Sequence, residues 1–166
     1  MGWQRVNIKI RKDLGPRQRQ AVGLEIIEHI KKRTSKGLDK SGNPWKGKAG
    51  TYSKSYKKSL DFKVAGKSNI VNLELSSEML NSMKVISHRK GELLIGYDKS
   101  NKELNGKVEG NRKGTYGRSS PIRGKARDFL GIERKKLTEI QNRYDFRIED
   151  KEKINERIDK IKSILD

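Results

Sequence analysis

Val6, Ile8 and Ile10 alternate with Asn7, Lys9 and Arg11, and soon afterwards the apolar spacing changes to Val22, Ile26, Ile27 and Ile30. The first period is two, the mark of a strand with one buried face, and the second belongs to a helix with an apolar stripe. A chain that opens with both periods needs a core able to take a sheet against a helix. The stretch from Asp13 to Pro16 supplies the turn between them, with Pro16 suited to the first helical turn. The helix should run about 18 residues and stop near Gly37. Lys31, Lys32, Arg33 and Lys36 crowd its end, where cations meet the negative pole of the helix dipole.

Further along, Ile70-Val71-Asn72-Leu73-Glu74-Leu75 alternates again, and Ser76 or Ser77 is placed to cap a short turn of helix through Met79 and Leu80. Met83 to Ser87 and Glu92 to Tyr97, joined by His88-Arg89-Lys90-Gly91, read as a hairpin. Three strands are therefore expected within residues 70–97. Ser100 and Glu103 form a capping box for a short helix ending near Gly110. Leu137, Ile140 and Tyr144 make one helical stripe, and Ile154, Ile158, Ile161 and Leu165 make another. Tyr144, Phe146 and Ile148 also alternate, so a short extended link between the two helices stays open, with Asp150 capping the second.

The expected fold is α+β, a small curved antiparallel or mixed sheet flanked by helices, with long loops or arms and a C-terminal helical extension. Residues 1–148 form the α+β domain and residues 149–166 a C-terminal amphipathic helix. The narrow seam of that helix suits a neighbouring subunit, with packing on its own domain as the alternative.

Two stretches lack any apolar period. Residues 38–67 are broken by Gly42, Asn43, Pro44, Gly47 and Gly50, and Tyr52, Tyr56 and Leu60 support only a short helix there. From Gly110 to Arg127 the chain holds Arg112, Lys113, Arg118, Arg123, Lys125 and Arg127 with no acid, then turns into Asp128-Phe129-Leu130-Gly131-Ile132. This reads as a mobile basic arm, residues 111–127, on an apolar anchor. Long structureless loops of this kind are usually functional.

The composition agrees. Only 31% of residues are hydrophobic and 37% are charged, so the core is small and neighbours are expected to complete it. The net charge is +19, and it is uneven: residues 1–70 carry 18 basic and 5 acidic side chains, whereas residues 131–166 carry 10 and 9. An excess of this size favours a polyanion nearby, because each neutralised phosphate releases counterions. Lys46, Lys48, Lys54, Lys57, Arg112, Lys113, Arg118 and Arg123 are the candidate contacts to DNA or to a protein partner.

Catalytic chemistry finds little support. The chain has no cysteine and only two histidines, His29 and His88, which argues against thiolate sites and zinc. Both histidines are expected to be solvated. Gly42 to Ala49 follows a phosphate-loop spacing, but Ala49 replaces the hydroxyl needed for magnesium, and neither a preceding strand nor a following helix frames it. An exposed loop anchored by Trp45 is the better reading. Asp13, Asp39, Asp61, Glu74, Glu78, Asp98 and Glu103 lie at turns, caps or exposed strand positions, and Glu74, Glu92 and Asp98 make a metal-dependent nuclease only by assumption. No enzyme, cofactor or metal is therefore expected. Aromatics interleave with bases at Trp45-Lys46, Tyr52 to Lys54, Tyr56 to Lys58 and Arg112 to Tyr116, which could serve stacking on bases, but the chain has only ten aromatics and no strand with paired exposed ones, so backbone contact is favoured over base readout. There is no long apolar run and no leader, so an intracellular, membrane-free protein is expected.

The order of short motifs carries a resemblance. Gly42-Asn43-Pro44-Trp45 is followed by Tyr52-Ser53-Lys54-Ser55-Tyr56, by Val71-Asn72-Leu73-Glu74-Leu75-Ser76-Ser77-Glu78-Met79-Leu80-Asn81-Ser82-Met83, and by Ile95-Gly96-Tyr97. Gly110-Asn111, Gly114-Thr115 and Arg127-Asp128-Phe129-Leu130-Gly131-Ile132 complete the series. Over roughly residues 1–145 the chain resembles the tail-completion and head–tail joining (neck) proteins of tailed phages, the Mu-like virion-morphogenesis group. The resemblance implies a structural virion protein, a homo-oligomeric ring joining the portal side of the head to the tail around the DNA channel. It also implies other neck, portal or tail-tube proteins as partners, double-stranded DNA in the channel, and host cytoplasm during assembly. Met79, Leu80, Phe129, Leu130 and Gly131 become its structural anchor. The rival reading of the same residues is a cellular nucleic-acid-binding module, ribosome-associated or DNA-binding.

Overall fold

A computed structural model describes residues 2, 4–67, 69–73, 78–116, 118–144 and 151–165. Strands β1 (Arg5–Lys9), β2 (Lys84–Arg89) and β3 (Glu92–Gly96) form one open antiparallel sheet in the order β1-β3-β2. The hairpin β2–β3 forms, but His88 and Arg89 belong to β2 and pair with Leu93 and Glu92, leaving only Lys90-Gly91 for the turn, and β1 closes the other side of β3 with Val6 opposite Ile95 and Ile8 opposite Leu93. This register puts Ile8, Leu93 and Ile95 on one buried face. The fold is α+β, as expected, and the sheet is antiparallel throughout.

Helix α1 (Pro16–Ser35) lies on that sheet. Its first turn is closed by Gln18, whose Oε1 accepts from the Gly15 amide at 2.6 Å, and Pro16 fills the position where a missing amide costs nothing. Val22, Ile26, Ile27 and Ile30 are at most 1% exposed, each contributing about 1.5–3 kcal/mol of apolar burial. Gly23 has a packing reason: a Cβ there would come within 2.7 Å of Val85 Cγ2 on β2, so the helix sits this close to the Val85 side chain only because its own is absent.

Around this centre run α2 (Lys54–Lys58), α3 (Leu60–Val64), α4 (Glu78–Asn81), α5 (Lys102–Lys113), α6 (Arg134–Asn142) and α7 (Lys151–Leu165). Leu104 and Val108 of α5, Phe129 and Leu130 of the following segment, and Ile140 and Tyr144 join the same core cluster.

Several expectations are corrected. Residues 70–73 form no strand: Ile70 is 55% exposed and Leu73 takes a positive φ of 58°, which breaks the pleat. The alternation there had no partner strand to pair with, and Glu74, Leu75, Ser76 and Ser77 lie outside the described residues. Helix α5 is capped by Asn101, whose side chain accepts from the Leu104 amide at 2.9 Å, while Ser100 bonds to Asp98 instead. The helix also runs past Gly110 to Lys113 and stops at Gly114, whose φ is 77° and where a Cβ would come within 2.8 Å of the Ala126 nitrogen, so no side chain is admitted. Arg112 and Lys113 are therefore helical, not loop. Tyr144 is buried in the turn after α6, and the link through Phe146, Ile148 and Asp150 lies outside the described residues.

The C-terminal helix packs on its own chain rather than waiting for a neighbour. Ile154, Ile158 and Ile161 are 8%, 6% and 5% exposed, and α7 lies against α1. Glu25, buried on α1, ties three elements: its carboxylate accepts from the Tyr144 hydroxyl at 2.6 Å, pairs with Arg143, and has Arg157 of α7 at 3.9 Å. The Arg157 guanidinium also stands 5.3 Å from the centre of the Tyr144 ring. Burial, then the Glu25 carboxylate, pushes the Tyr144 hydroxyl pKa up, so it stays a donor.

His29 is half-buried, not solvated. Burial first, then the nearby cations Arg33 and Lys136, lower its pKa from 6.5 to about 4. The folded state therefore binds fewer protons than the unfolded chain below pH 6.5. Stability from this site is full above pH 6.5 and drains away as the pH falls through about 4. With solvent screening at a half-exposed position, the loss is about 1–2 kcal/mol. Thermal melts of wild type and His29→Gln across this range check it, and the variant should show the smaller acid-side slope.

Candidate nucleic-acid interface on two docked arms

The arm of residues 38–67 is built locally. Asp39 Oδ1 accepts from the amides of Ser41 and Asn43, both at 2.9 Å, which folds the Gly42-Asn43-Pro44 turn. Trp45 then packs partly buried against the core, as an anchor should. After a 3₁₀ turn at Gly47–Gly50, Ser53 and Ser59 cap α2 and α3 through the amides of Tyr56 and Phe62. Tyr52, Tyr56 and Phe62 make a small aromatic cluster with ring centres 5.2–5.4 Å apart, separate from the main core.

The second arm is not a free basic loop. It is folded on itself by the Ile122 amide to Gly114 O and the Lys125 amide to Ile122 O, both 3.0 Å, and by the Arg127 amide to Asn111 O at 2.7 Å. Arg127 fastens it to the first arm. This residue is 5% exposed, and its guanidinium donates to Ala49 O at 2.8 Å, Thr51 O at 3.2 Å and Asn111 Oδ1 at 3.4 Å. It also lies 5.8 Å from the Tyr52 ring centre and 5.5 Å from that of Tyr116. Beside it, Lys125 Nζ donates to Thr51 O at 3.1 Å, and the Tyr116 hydroxyl donates to Lys125 O at 3.0 Å. Burial, followed by Arg127 and Lys48, lowers the Lys125 pKa.

The eight candidate cations separate into groups. Lys46 and Lys48 stand exposed on the first arm, and Arg118 and Arg123 on the second. Lys46 and Gly124, the neighbour of Arg123, border the same open hollow of about 420 Å³ under Trp45. Lys54 and Lys57 ride on α2, the former exposed and the latter bonded to Asn69 Oδ1 at 2.9 Å. Arg112 and Lys113 are drawn away by carboxylates: Arg112 Nε meets Asp128 Oδ1 at 2.9 Å and Lys113 pairs with Glu109. They brace α5 rather than face a ligand. None of Lys46, Lys48, Lys54, Arg118, Arg123 and Lys125 has a salt bridge among the described residues.

The anchor residues occupy one core cluster, with Met79 at 8%, Leu80 at 2%, Phe129 at 0% and Leu130 at 1% exposure. Gly131 is buried beside them. What holds the anchor was not visible in the chain. Arg33, buried at the end of α1, donates to Phe129 O at 2.5 Å, Gly131 O at 3.1 Å and Lys40 O at 3.0 Å. Burial lowers its pKa to about 10, so it is charged at neutral pH. The Phe129, Gly131 and Lys40 carbonyls lie where the second arm ends and the first begins.

Of the candidate catalytic acids, Glu92 pairs with Lys9 and Asp98 with Lys84, on opposite sides of β3. The Lys84 ammonium holds the Asp98 carboxyl well below the usual range. Among the described residues no group of three His, Cys, Asp or Glu is placed to hold a metal ion, and no helix is long and apolar enough to cross a membrane. No protein-family model matches the chain, and no curated protein or solved structure is significantly similar to it.

Proposed function

We propose that this chain is a structural virion protein of a tailed phage, a ring-forming neck or tail-completion subunit that joins the portal side of the head to the tail around the DNA channel. One observation carries the reading: of the residues that make up the resemblance, Met79, Leu80, Phe129 and Leu130 are buried in one cluster, while the two arms, which hold others of its motifs, carry exposed surface. That surface includes Leu60 at 73% and Val64 at 78% exposure on α3, an apolar pair left for a neighbour to cover. Its partners are further copies of itself and other neck, portal or tail-tube proteins, with double-stranded DNA passing through. Its setting is the virion neck, and the host cytoplasm during assembly.

Sedimentation of the purified full chain, followed by negative-stain electron microscopy, tests the proposal. Closed rings, alone or after addition of the head-side partner, are the expected result. A strict monomer under every condition, with no incorporation into particles, contradicts it.

The unpaired cations of the arms favour a second reading, a cellular nucleic-acid-binding module. Such a module binds free duplex tightly at physiological salt, whereas a ring subunit binds weakly until assembled. A salt titration on the isolated chain separates the two.

A further inference from the structure

We propose that the two docked arms form one grip for the phosphate backbone of double-stranded DNA, with Lys46, Lys48, Arg123 and Lys125 as contacts and Arg127 as the residue that assembles them. This deepens, and rests on, the reading that the chain works beside DNA.

The cations come from distant parts of the chain, and the arm–arm contact brings them to one surface. Lys46 and Gly124 line one hollow, and Arg123 and Lys125 flank Gly124 in the chain. Lys125 reaches across to Thr51 O, three residues after Lys48. Like charges gathered this way repel one another, and nearby carboxylates would normally relieve them. Of the carboxylates that line the hollow, Asp128 is taken by Lys40 at 2.7 Å and Arg112 at 2.9 Å, and Asp39 is turned to the amides of its own turn. Lys46, Lys48 and Arg123 form no salt bridge among the described residues, so their charge is available to an external anion.

The aromatics decide the kind of contact. Tyr52, Tyr56 and Phe62 are packed on one another, and Arg127 lies against Tyr52 and Tyr116, so these rings are committed within the protein. Single-strand binding relies on free aromatic faces on which bases stack. Tyr116, 36% exposed, has Arg127 over its ring and its hydroxyl on Lys125 O, and Trp45 is packed partly buried against the core, so the lysines and arginines are the groups this surface offers, and they suit the regular phosphates of a duplex. Arg127 is buried and touches no ligand. Its part is positional, because its bonds to Ala49 O and Thr51 O hold the second arm's cations over the first.

Fluorescence anisotropy with the full chain and a labelled mixed-sequence DNA duplex tests the grip over a range of salt concentrations. Lys46→Glu/Lys48→Glu/Arg123→Glu should flatten the plot of log affinity against log salt by about 2–3, since each phosphate contact contributes about 0.9. Lys12→Glu/Lys90→Glu/Lys99→Glu changes net charge equally at exposed sites near the hairpin and should alter the slope by less than about 1. Arg127→Lys keeps the charge but loses the forked contact, and should flatten the slope while far-UV circular dichroism stays that of wild type. Equal losses in the two triple variants would overturn the grip yet leave a general role for charge. A wild-type slope in Arg127→Lys would overturn the positional role. Failure of the wild type to bind duplex even at low salt, or tighter binding to a single strand of equal length, would overturn the proposal, and the first of these would remove the DNA reading with it.

Discussion

Phe129→Ala should lower the unfolding free energy by about 3–5 kcal/mol. The ring is fully buried at the junction of the second arm with the core, in the same cluster as Leu80, Leu104, Val108 and Ile140. Truncation removes its transfer free energy and leaves a cavity that α1, held close to the sheet at Gly23, has little freedom to fill. Chemical denaturation of wild type and variant measures the change, and a loss below about 1 kcal/mol would show that Phe129 is no anchor.

Arg33→Met should cost a comparable amount, about 3–5 kcal/mol, by a different route. The stem stays apolar, but the carbonyls of Lys40, Phe129 and Gly131 lose their donor, and the two buried ones, of Phe129 and Gly131, cost about 1–3 kcal/mol each without a partner. The effect should also be local to both arms. Hydrogen exchange at the Lys40 amide, which donates to Asp128 O at 3.1 Å, should speed up in Arg33→Met, with little change at the Ile8 or Ile95 amides of the sheet. A variant as stable as wild type, or one that exchanges faster everywhere equally, would contradict the role of Arg33 as the brace between arms and core.

The two examples mark where sequence reasoning holds and where it stops. Strand β1, helix α1, the β2–β3 hairpin and the burial of Phe129 and Leu130 follow from apolar period and turn chemistry, which act over a few residues. Arg33 and Arg127 look like surface charge because their partners are backbone carbonyls far along the chain, and no spacing rule reports such a bond. The same holds for Glu25, whose partners Arg143, Tyr144 and Arg157 come from the C-terminal third. These partners also explain why α7 belongs to the core rather than to a neighbour. The alternation that starts at Ile70 shows the opposite failure: over the described residues 70–73 it has no strand beside it to complete a ladder. Of the candidate contacts on the arms, Arg112 and Lys113 are claimed by the carboxylates of Asp128 and Glu109, which no spacing along the chain reports.

The arms give the proposed function its most direct test, because a neck subunit must sit at one place in a particle. Immunogold electron microscopy of tailed particles from cells that encode this chain should put label at the head–tail junction. Complete, infectious particles carrying no label there, alongside abundant chain free in the same lysate, would contradict the account.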